Sequence, residues 1–148
     1  MDDVIWIQLR TGALLIGASF VVHGVMILLG RLIFDRPLPC RPSLRLAMDT
    51  ARLMLVALWL LLAHVIVALS WAWTYVRLDV SETMEAGLYF AFTTYTTLGF
   101  GDVLAPTEWQ LLTGLASMNG LLLFALSSAV LLDATQRLRR GDWMEGVG

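Results

Sequence analysis

The chain has 148 residues, of which 58% are hydrophobic and 15% are charged, and its formal net charge is −2. Soluble domains contain about 45–50% apolar and about 25% charged residues, so this composition argues against a soluble enzyme and indicates a membrane protein of about one domain. The small net charge gives no attraction for nucleic acid, and the lone Cys40 excludes an intrachain disulfide or a zinc site built on several thiolates. We therefore expect no enzymatic activity, no cofactor and no nucleic-acid partner.

Three uncharged stretches are long enough to cross a membrane as helices, namely 11–30, 53–76 and 109–132. Twenty helical residues span about 30 Å, which matches the hydrocarbon core of a bilayer. The first stretch predicts a transmembrane helix within residues 1–34. It is not typical of a signal peptide, because the segment before it is acidic and no small-residue cleavage site follows.

The link over 35–52 contains prolines at positions 37, 39 and 42, which predict a non-helical link. Ser43 is a candidate N-cap for a helix that runs from the end of this link into the second span.

A fourth uncharged stretch, 86–101, has 16 residues and ends in several threonines and two glycines. It is too short and too polar at its end to cross, and such segments are re-entrant or buried. We predict a short helix over 82–96. Its candidate N-caps are Asp79, Ser81 and Thr83.

The arginines predict the orientation of the spans. Five of the ten lie within 31–52 and three lie after residue 132, which leaves Arg10 and Arg77 for the other side. Because cytoplasmic loops carry the excess of arginine, the N-terminus should lie outside and the C-terminus in the cytoplasm. The link and the short tail over 134–148 are then cytoplasmic, and the segment 79–108 enters the membrane from the outer face and returns to it.

The sequence Thr-Thr-Tyr-Thr-Thr-Leu-Gly-Phe-Gly-Asp over 93–102 resembles the selectivity filter of potassium channels, whose signature is Thr-Val-Gly-Tyr-Gly-Asp. Leu98 stands in place of valine and Phe100 in place of tyrosine. The resemblance covers a pore domain over 53–133. It implies an outer helix over 53–76, a pore helix over 82–96, a filter over 97–102 and an inner helix over 109–133.

The resemblance implies an all-α membrane protein in which residues 1–34 form an extra N-terminal helix. It implies a homotetramer surrounded by membrane lipids, a multi-pass protein of a bacterial-type inner (plasma) membrane, that conducts potassium ions passively. One chain carries one filter signature, so four chains are needed to surround an ion.

The chemistry of such a filter follows from the needs of the ion. Potassium loses its water shell only where oxygens replace it, and backbone carbonyls from Thr97, Leu98, Gly99 and Phe100 are the expected ligands. The strand requires left-handed backbone angles at Gly99 and Gly101, which glycine adopts without a Cβ clash. Thr97 adds a ring of hydroxyl oxygens.

The side chains around the predicted filter have separate roles. Leu98 and Phe100 are expected to point away from the ions and to wedge the strand against the pore helix. Asp102 gives the outer mouth a negative charge that concentrates cations. Thr96 ends the pore helix, where partial negative charge faces the pore centre.

Two pore-helix positions depart from the best-known bacterial potassium channels. Phe90 and Thr93 stand where those channels have tryptophan and glutamate, and Phe100 lacks the hydroxyl of the usual tyrosine. We therefore expect the filter to be supported by apolar packing of Tyr89, Phe90 and Phe92. Strict selectivity is then in question, so a weakly selective cation channel and a non-conducting membrane partner subunit stay as alternatives.

The inner helix carries candidate gating residues. Gly120 lies mid-span and is a candidate hinge. Asp133 either presents a ring of acids to entering cations or forms an ordinary i, i+4 pair with Arg137. Asn119 is expected to form an interhelical hydrogen bond.

His23 and His64 fall at similar depth in the first two spans. Each neutral imidazole needs one donor and one acceptor partner. Either each bonds separately to a backbone carbonyl or serine, or the two meet and tie the first helix to the outer helix. A pair of this kind would respond to pH if water reached it.

Overall fold

The computed structural model describes residues 2–34 and 42–140 and contains four α-helices. They are α1 (Asp2–Phe34), α2 (Arg45–Arg77), α3 (Met84–Tyr95) and α4 (Gln110–Arg140), with 3₁₀ turns at Pro42–Leu44 and Thr107–Trp109. No strand occurs within those two ranges. Three segments are long and apolar enough to cross a membrane: Asp3–Phe34, Arg45–Arg77 and Thr107–Leu138. The fold is therefore that of an all-α, multi-pass membrane protein, as predicted.

The long helices are longer than the uncharged stretches that predicted them. The helix expected to start near Ser43 begins at Arg45, and its N-cap position is Leu44, which makes no side-chain cap hydrogen bond. At the other end of the chain, α4 continues to Arg140, past the predicted end of the inner helix at 133. The link residues 35–41, among them Cys40 and two of the three prolines, lie outside the described residues, as does the tail from 141.

The first helix packs against both other long helices. Gly30 of α1 lies against Trp59 of α2, whose indole nitrogen donates to the carbonyl of Met26 at 2.7 Å. Polar contacts join α1 to α4 along most of its length, from Gln8 near one end to Arg31 near the other. Partners advance in the same direction on both helices, so α1 runs parallel to α4 and antiparallel to α2.

The short helix α3 sits between α2 and α4. Its 12 residues rise about 18 Å, which is too short to cross a bilayer. Of the three predicted caps, Thr83 is the one used, since its hydroxyl accepts from the backbone nitrogen of Ala86 at 3.2 Å. The main buried cluster lies where these three helices meet. It includes Trp71 and Tyr75 of α2, Phe90 and Tyr95 of α3, and Leu112, Ala116 and Leu123 of α4.

Candidate functional site

The loop over residues 97–102, here the glycine loop, follows directly on the end of α3. Its backbone φ is positive at Thr97 (60°), Gly99 (51°) and Gly101 (80°), and not at Leu98 or Phe100. Left-handed and ordinary backbone conformations therefore alternate along the loop. This alternation lets successive carbonyl oxygens line one side of an extended chain, as a ring of carbonyl ligands requires. The left-handed conformation predicted at Gly99 and Gly101 is confirmed.

The positive φ of Thr97 is a feature that sequence reasoning missed. A β-branched residue rarely adopts this region, and doing so costs about 1–3 kcal/mol. Two backbone hydrogen bonds onto the last turn of α3 hold the loop there: Thr97 N donates to Thr94 O and Gly99 N donates to Thr93 O, both at 3.0 Å. No sequence signal marks Thr97 apart from its place two residues before Gly99.

The predicted supports Phe90 and Thr93 lie behind the glycine loop. Both are buried, and they line a cavity of about 230 Å³ together with Gly99, Phe100 and Gly101. The structure thus brings the proposed filter residues and two of their proposed supports to one place.

Leu98 and Phe100 are 57% and 66% exposed in the single chain. A cavity lies between the middle of the loop and α3, and hydrogen bonds join both ends of the loop to that helix. The wedge of these two side chains against the pore helix stays a prediction. A single chain therefore leaves these two large apolar side chains without cover.

Tyr89 makes a polar contact with the glycine loop that the expectation of apolar support did not include. Tyr89 donates to Asp102 Oδ2 at 2.5 Å, and Asp102 Oδ1 accepts from the backbone nitrogen of Val103 at 3.0 Å. The bond from Tyr89 lowers the pKa of Asp102 and raises the pKa of Tyr89, since it favours the carboxylate and the protonated phenol. A hydroxyl at the exposed edge of an aromatic group was the signal for this tether.

The C-terminal end of α3 is fastened to α4. Ser117 Oγ donates to Thr94 O at 2.8 Å. The hydroxyl of Thr96 donates to Phe92 O at 2.6 Å, within its own helix. Gly120 is buried against the backbone carbonyl of Tyr95, and a Cβ at this position would collide with that oxygen. The geometry gives Gly120 a close-packing role, and its use as a hinge stays a prediction.

Asp133 lines a narrow cleft of about 30 Å³ between α1, α2 and α4. Its Oδ2 accepts from Arg137 Nε at 2.9 Å and lies 3.6 Å from Arg31 Nη2. The predicted i, i+4 pair is therefore formed, and a second arginine from α1 joins it. A ring of acids facing the pore stays a prediction.

The contacts between α1 and α4 are polar at several levels. Asn119 Nδ2 donates to Ser19 Oγ at 3.0 Å, which confirms the predicted interhelical hydrogen bond. The buried Gln8, which sequence reasoning missed, accepts from the backbone nitrogen of Leu112 at 3.0 Å in the first turn of α4. The first helix thus satisfies one of the donors that a helix start leaves unpaired.

The two histidines meet, and they do so through a serine. Their ring centroids are 4.6 Å apart, and both Nε2 atoms lie 3.0 Å from Ser127 Oγ. The prediction that the two rings meet is therefore confirmed. The prediction that each ring bonds to a serine is confirmed as well, and both rings bond to the same serine.

The family model described as an ion channel matches residues 54–137, more than half of the chain. The matched range begins in α2, includes α3 and the glycine loop, and ends in α4. The first helix lies outside it. No curated protein and no solved structure matches the chain.

Proposed function

The chain belongs to the ion-channel family, and on that premise we propose that four copies assemble into a potassium-selective channel whose filter is the glycine loop. Ion channels conduct ions across membranes as oligomers and are not enzymes in general. The three apolar helices agree with a multi-pass membrane location. Potassium enters as the permeant ion, held by the carbonyls of Thr97, Leu98, Gly99 and Phe100 and by the Thr97 hydroxyl.

The observation that carries this proposal is the alternation of φ over Thr97, Gly99 and Gly101. An ordinary surface loop needs one or two left-handed residues to turn, and it does not place them at every second position. A strand of aligned carbonyls does need that spacing. Since one strand offers oxygens from one side only, the coordination of an ion needs several copies around an axis.

Exposed apolar side chains beside the glycine loop support the assembly of several chains. Leu98, Phe100 and Leu104 are 57%, 66% and 76% exposed in the single chain. Contiguous apolar surface of this kind marks an interaction site. In a fourfold ring these side chains would contact the neighbouring subunit. We propose that these side chains are buried between subunits of a homotetramer.

For orientation we propose an outer N-terminus and a cytoplasmic C-terminus in a bacterial-type inner (plasma) membrane. The arginine distribution supports it, with eight of ten on the side of the link and the tail. In this orientation the glycine loop opens to the outside and Asp102 faces arriving cations.

A pair of glycine variants tests the filter assignment. Gly101 and Gly114 both have open space where a Cβ would be, but only Gly101 has a positive φ. Gly101→Ala therefore strains the backbone without a clash, whereas Gly114→Ala adds a side chain at no steric cost. Purified protein in liposomes should pass potassium well above sodium, Gly101→Ala should lose that preference, and Gly114→Ala should keep it. Equal selectivity of the two variants would contradict the assignment.

A weakly selective cation channel is the second candidate. It is favoured by the cavity behind the glycine loop and by the exposed position of the Tyr89–Asp102 tether, which leave the loop less constrained. Comparable potassium and sodium flux from the unaltered protein would select it. A third alternative, a non-conducting partner subunit, predicts no flux of either ion.

A further inference from the structure

One buried polar cluster contains a residue from each of the four helices. It consists of His23 of α1, His64 of α2, Tyr95 of α3 and Ser127 of α4, here the histidine cluster. All four side chains are buried, and His23 is 0% exposed. The chain has two histidines in total, and both are in this cluster.

Three hydrogen bonds connect the cluster into a chain. His23 Nε2 and His64 Nε2 each lie 3.0 Å from Ser127 Oγ, and His64 Nδ1 lies 2.8 Å from the Tyr95 hydroxyl. Phe124 stacks on the His64 ring at 4.2 Å and fixes its plane. The order of the chain is therefore His23, Ser127, His64 and Tyr95.

Counting protons shows that the neutral chain has three arrangements. Each of the four groups brings one hydrogen to share, and three bonds use three of them. In the first arrangement all bonds point from Tyr95 towards His23, and the spare hydrogen is on His23 Nδ1. In the second all bonds point from His23 towards Tyr95, and the spare hydrogen is on the Tyr95 hydroxyl. In the third both histidines donate to Ser127, Tyr95 donates to His64, and the spare hydrogen is on the Ser127 hydroxyl.

His23 Nδ1 is where the cluster accepts a further proton. It is buried and has no hydrogen-bond partner among residues 2–34 and 42–140. Both nitrogens of His64, in contrast, are already bonded. A proton on His23 makes both of its nitrogens donors, so Nε2 must donate to Ser127. Ser127 then either donates to His64, which donates to Tyr95, or accepts from His64 as well, with Tyr95 donating to His64. One proton on α1 thus fixes the direction of the bond to Ser127 on α4 and excludes the arrangement in which Ser127 donates to His23.

The surroundings do not compensate a charge on His23. The charged residues nearest to the cluster along each helix are Arg31 on α1, Arg52 and Arg77 on α2, Glu85 on α3 and Asp133 on α4. Each is at least six residues away from the cluster member of its own helix, which is about 9 Å or more of helical rise. The other titratable groups that face His23 are His64 and the Tyr95 phenol. A buried imidazolium without a counter-charge is costly, so it requires water to enter between the helices.

The cluster also adjoins the glycine loop. Tyr95 is the last residue of α3 and precedes Thr97 by two positions. Its carbonyl contacts Gly120 of α4, while its hydroxyl is bonded to His64. A change at the Tyr95 side chain therefore acts on a residue that is in contact with the inner helix and directly before the loop.

We propose that the histidine cluster is a proton-sensitive link between the first helix and the pore. With both imidazoles neutral it holds α1 against α4 and α2. A proton on His23 loosens this packing, and the inner helix and the loop respond with a change in ion conduction. The link is intact at neutral and alkaline pH and weakens as the pH falls below about 6.5, where a histidine that water reaches takes up a proton. The conduction part rests on the proposed channel function, whereas the packing part does not.

The matched variant is His23→Gln. The glutamine amide nitrogen stands in for Nε2 and can donate to Ser127, but it does not titrate between pH 5 and 8. Thermal unfolding in lipid nanodiscs should show a midpoint that falls further between pH 7.5 and 5.5 for the unaltered protein than for His23→Gln, in which His64 alone takes up a proton on unfolding. An equal fall in both proteins would overturn the proposal.

Potassium flux into liposomes gives the second readout. One proton per subunit changes the underlying equilibrium about tenfold per pH unit below the midpoint. Flux through the unaltered protein should therefore change about tenfold between pH 7.5 and 5.5, and flux through His23→Gln should change less than about twofold. A pH-dependent unfolding midpoint without any flux at any pH would leave the link standing and refute the channel function. Flux that is independent of pH in the unaltered protein would refute the link to conduction.

Imidazole nitrogen NMR of the unaltered protein in lipid tests the proton site without any substitution. With two histidines, the spectrum should contain two neutral rings at pH 7.5 and one imidazolium at pH 5.5. The signal absent from His23→Gln should be the one that becomes charged. Two neutral rings at both pH values, or a charged ring already at pH 7.5, would overturn the proposal.

Discussion

The Tyr89 hydroxyl, six residues before the end of α3, donates a 2.5 Å hydrogen bond to Asp102 Oδ2, at the far end of the glycine loop. The loop is thus held at both ends by α3, since Thr97 N and Gly99 N donate to carbonyls in the last turn of the same helix. Phe100 lies between these two attachment points and lines the cavity behind the loop. The tether is therefore the contact that fixes the outer half of the loop.

Tyr89→Phe should weaken the outer half of the loop, because it removes the donor and keeps the ring. We expect a lower potassium-to-sodium permeability ratio and a faster decline of current in planar bilayers. Asp102→Asn should act in the same direction, and the double variant should be no worse than the stronger single one, since both remove one interaction. Fully additive effects would show that Tyr89 and Asp102 act separately.

The tether itself should be insensitive to pH across the physiological range. The pKa of Asp102 is lowered below its ordinary 3.8, so the stabilising carboxylate persists above that value and is lost only as the pH falls through the lowered pKa. The pKa of Tyr89 is raised above its ordinary 10.0, so the donating phenol is lost only in stronger alkali. The permeability ratio should therefore stay constant between pH 5 and 9. The measurement uses His23→Gln, because this variant lacks the residue at which the histidine cluster accepts a proton. A ratio that collapses in that range would contradict the assignment of the tether.

Gly120→Ala should destabilise the fold, because the added Cβ meets the backbone carbonyl of Tyr95. Overpacking of this kind costs about 1–3 kcal/mol. Gly114→Ala in the same helix is the control, since open space surrounds that position. The measurement is the thermal unfolding midpoint in detergent. If Gly120→Ala changes gating at an unchanged midpoint, the glycine serves as a hinge and not as a packing contact.

Labelling with an impermeant thiol reagent tests the orientation. An Asp2→Cys variant should react from outside intact cells, and Cys40 should react only after the membrane is opened, because the arginine distribution places the link in the cytoplasm. A variant with Cys40→Ser and Asp2→Cys isolates the first signal. Labelling of Cys40 from outside would show that the proposed orientation is reversed and that the glycine loop opens to the cytoplasm.

The spans and the loop glycines could be predicted because their signals are local. Hydropathy alone marks a helix that crosses a bilayer, and the two glycines on either side of Phe100 mark left-handed backbone positions. Thr83, the N-cap of α3, could be predicted as one of three candidates because capping residues are also recognised locally. Helix ends were less well predicted, because α2 and α4 extend into charged segments that a search for uncharged stretches leaves out.

The contacts that depend on tertiary approach could not be predicted. The role of Ser127 as the shared partner of two histidines requires that three helices meet at one level. The positive φ of Thr97 depends on the hydrogen bonds that Thr97 N and Gly99 N donate to carbonyls in the last turn of α3. Gln8 acquires its partner because α1 runs beside the start of α4. None of these has a pattern in the sequence alone.

The reversal potential of the purified protein in a planar bilayer, with potassium on one side and sodium on the other at equal concentration, measures the selectivity of the pore. A monovalent channel shifts its reversal potential by about 59 mV for each tenfold preference. A potassium-selective filter should give a shift of more than about 59 mV in the direction of potassium preference. A reversal potential near zero, with clear single-channel currents, would contradict a potassium-selective filter at Thr97–Gly101.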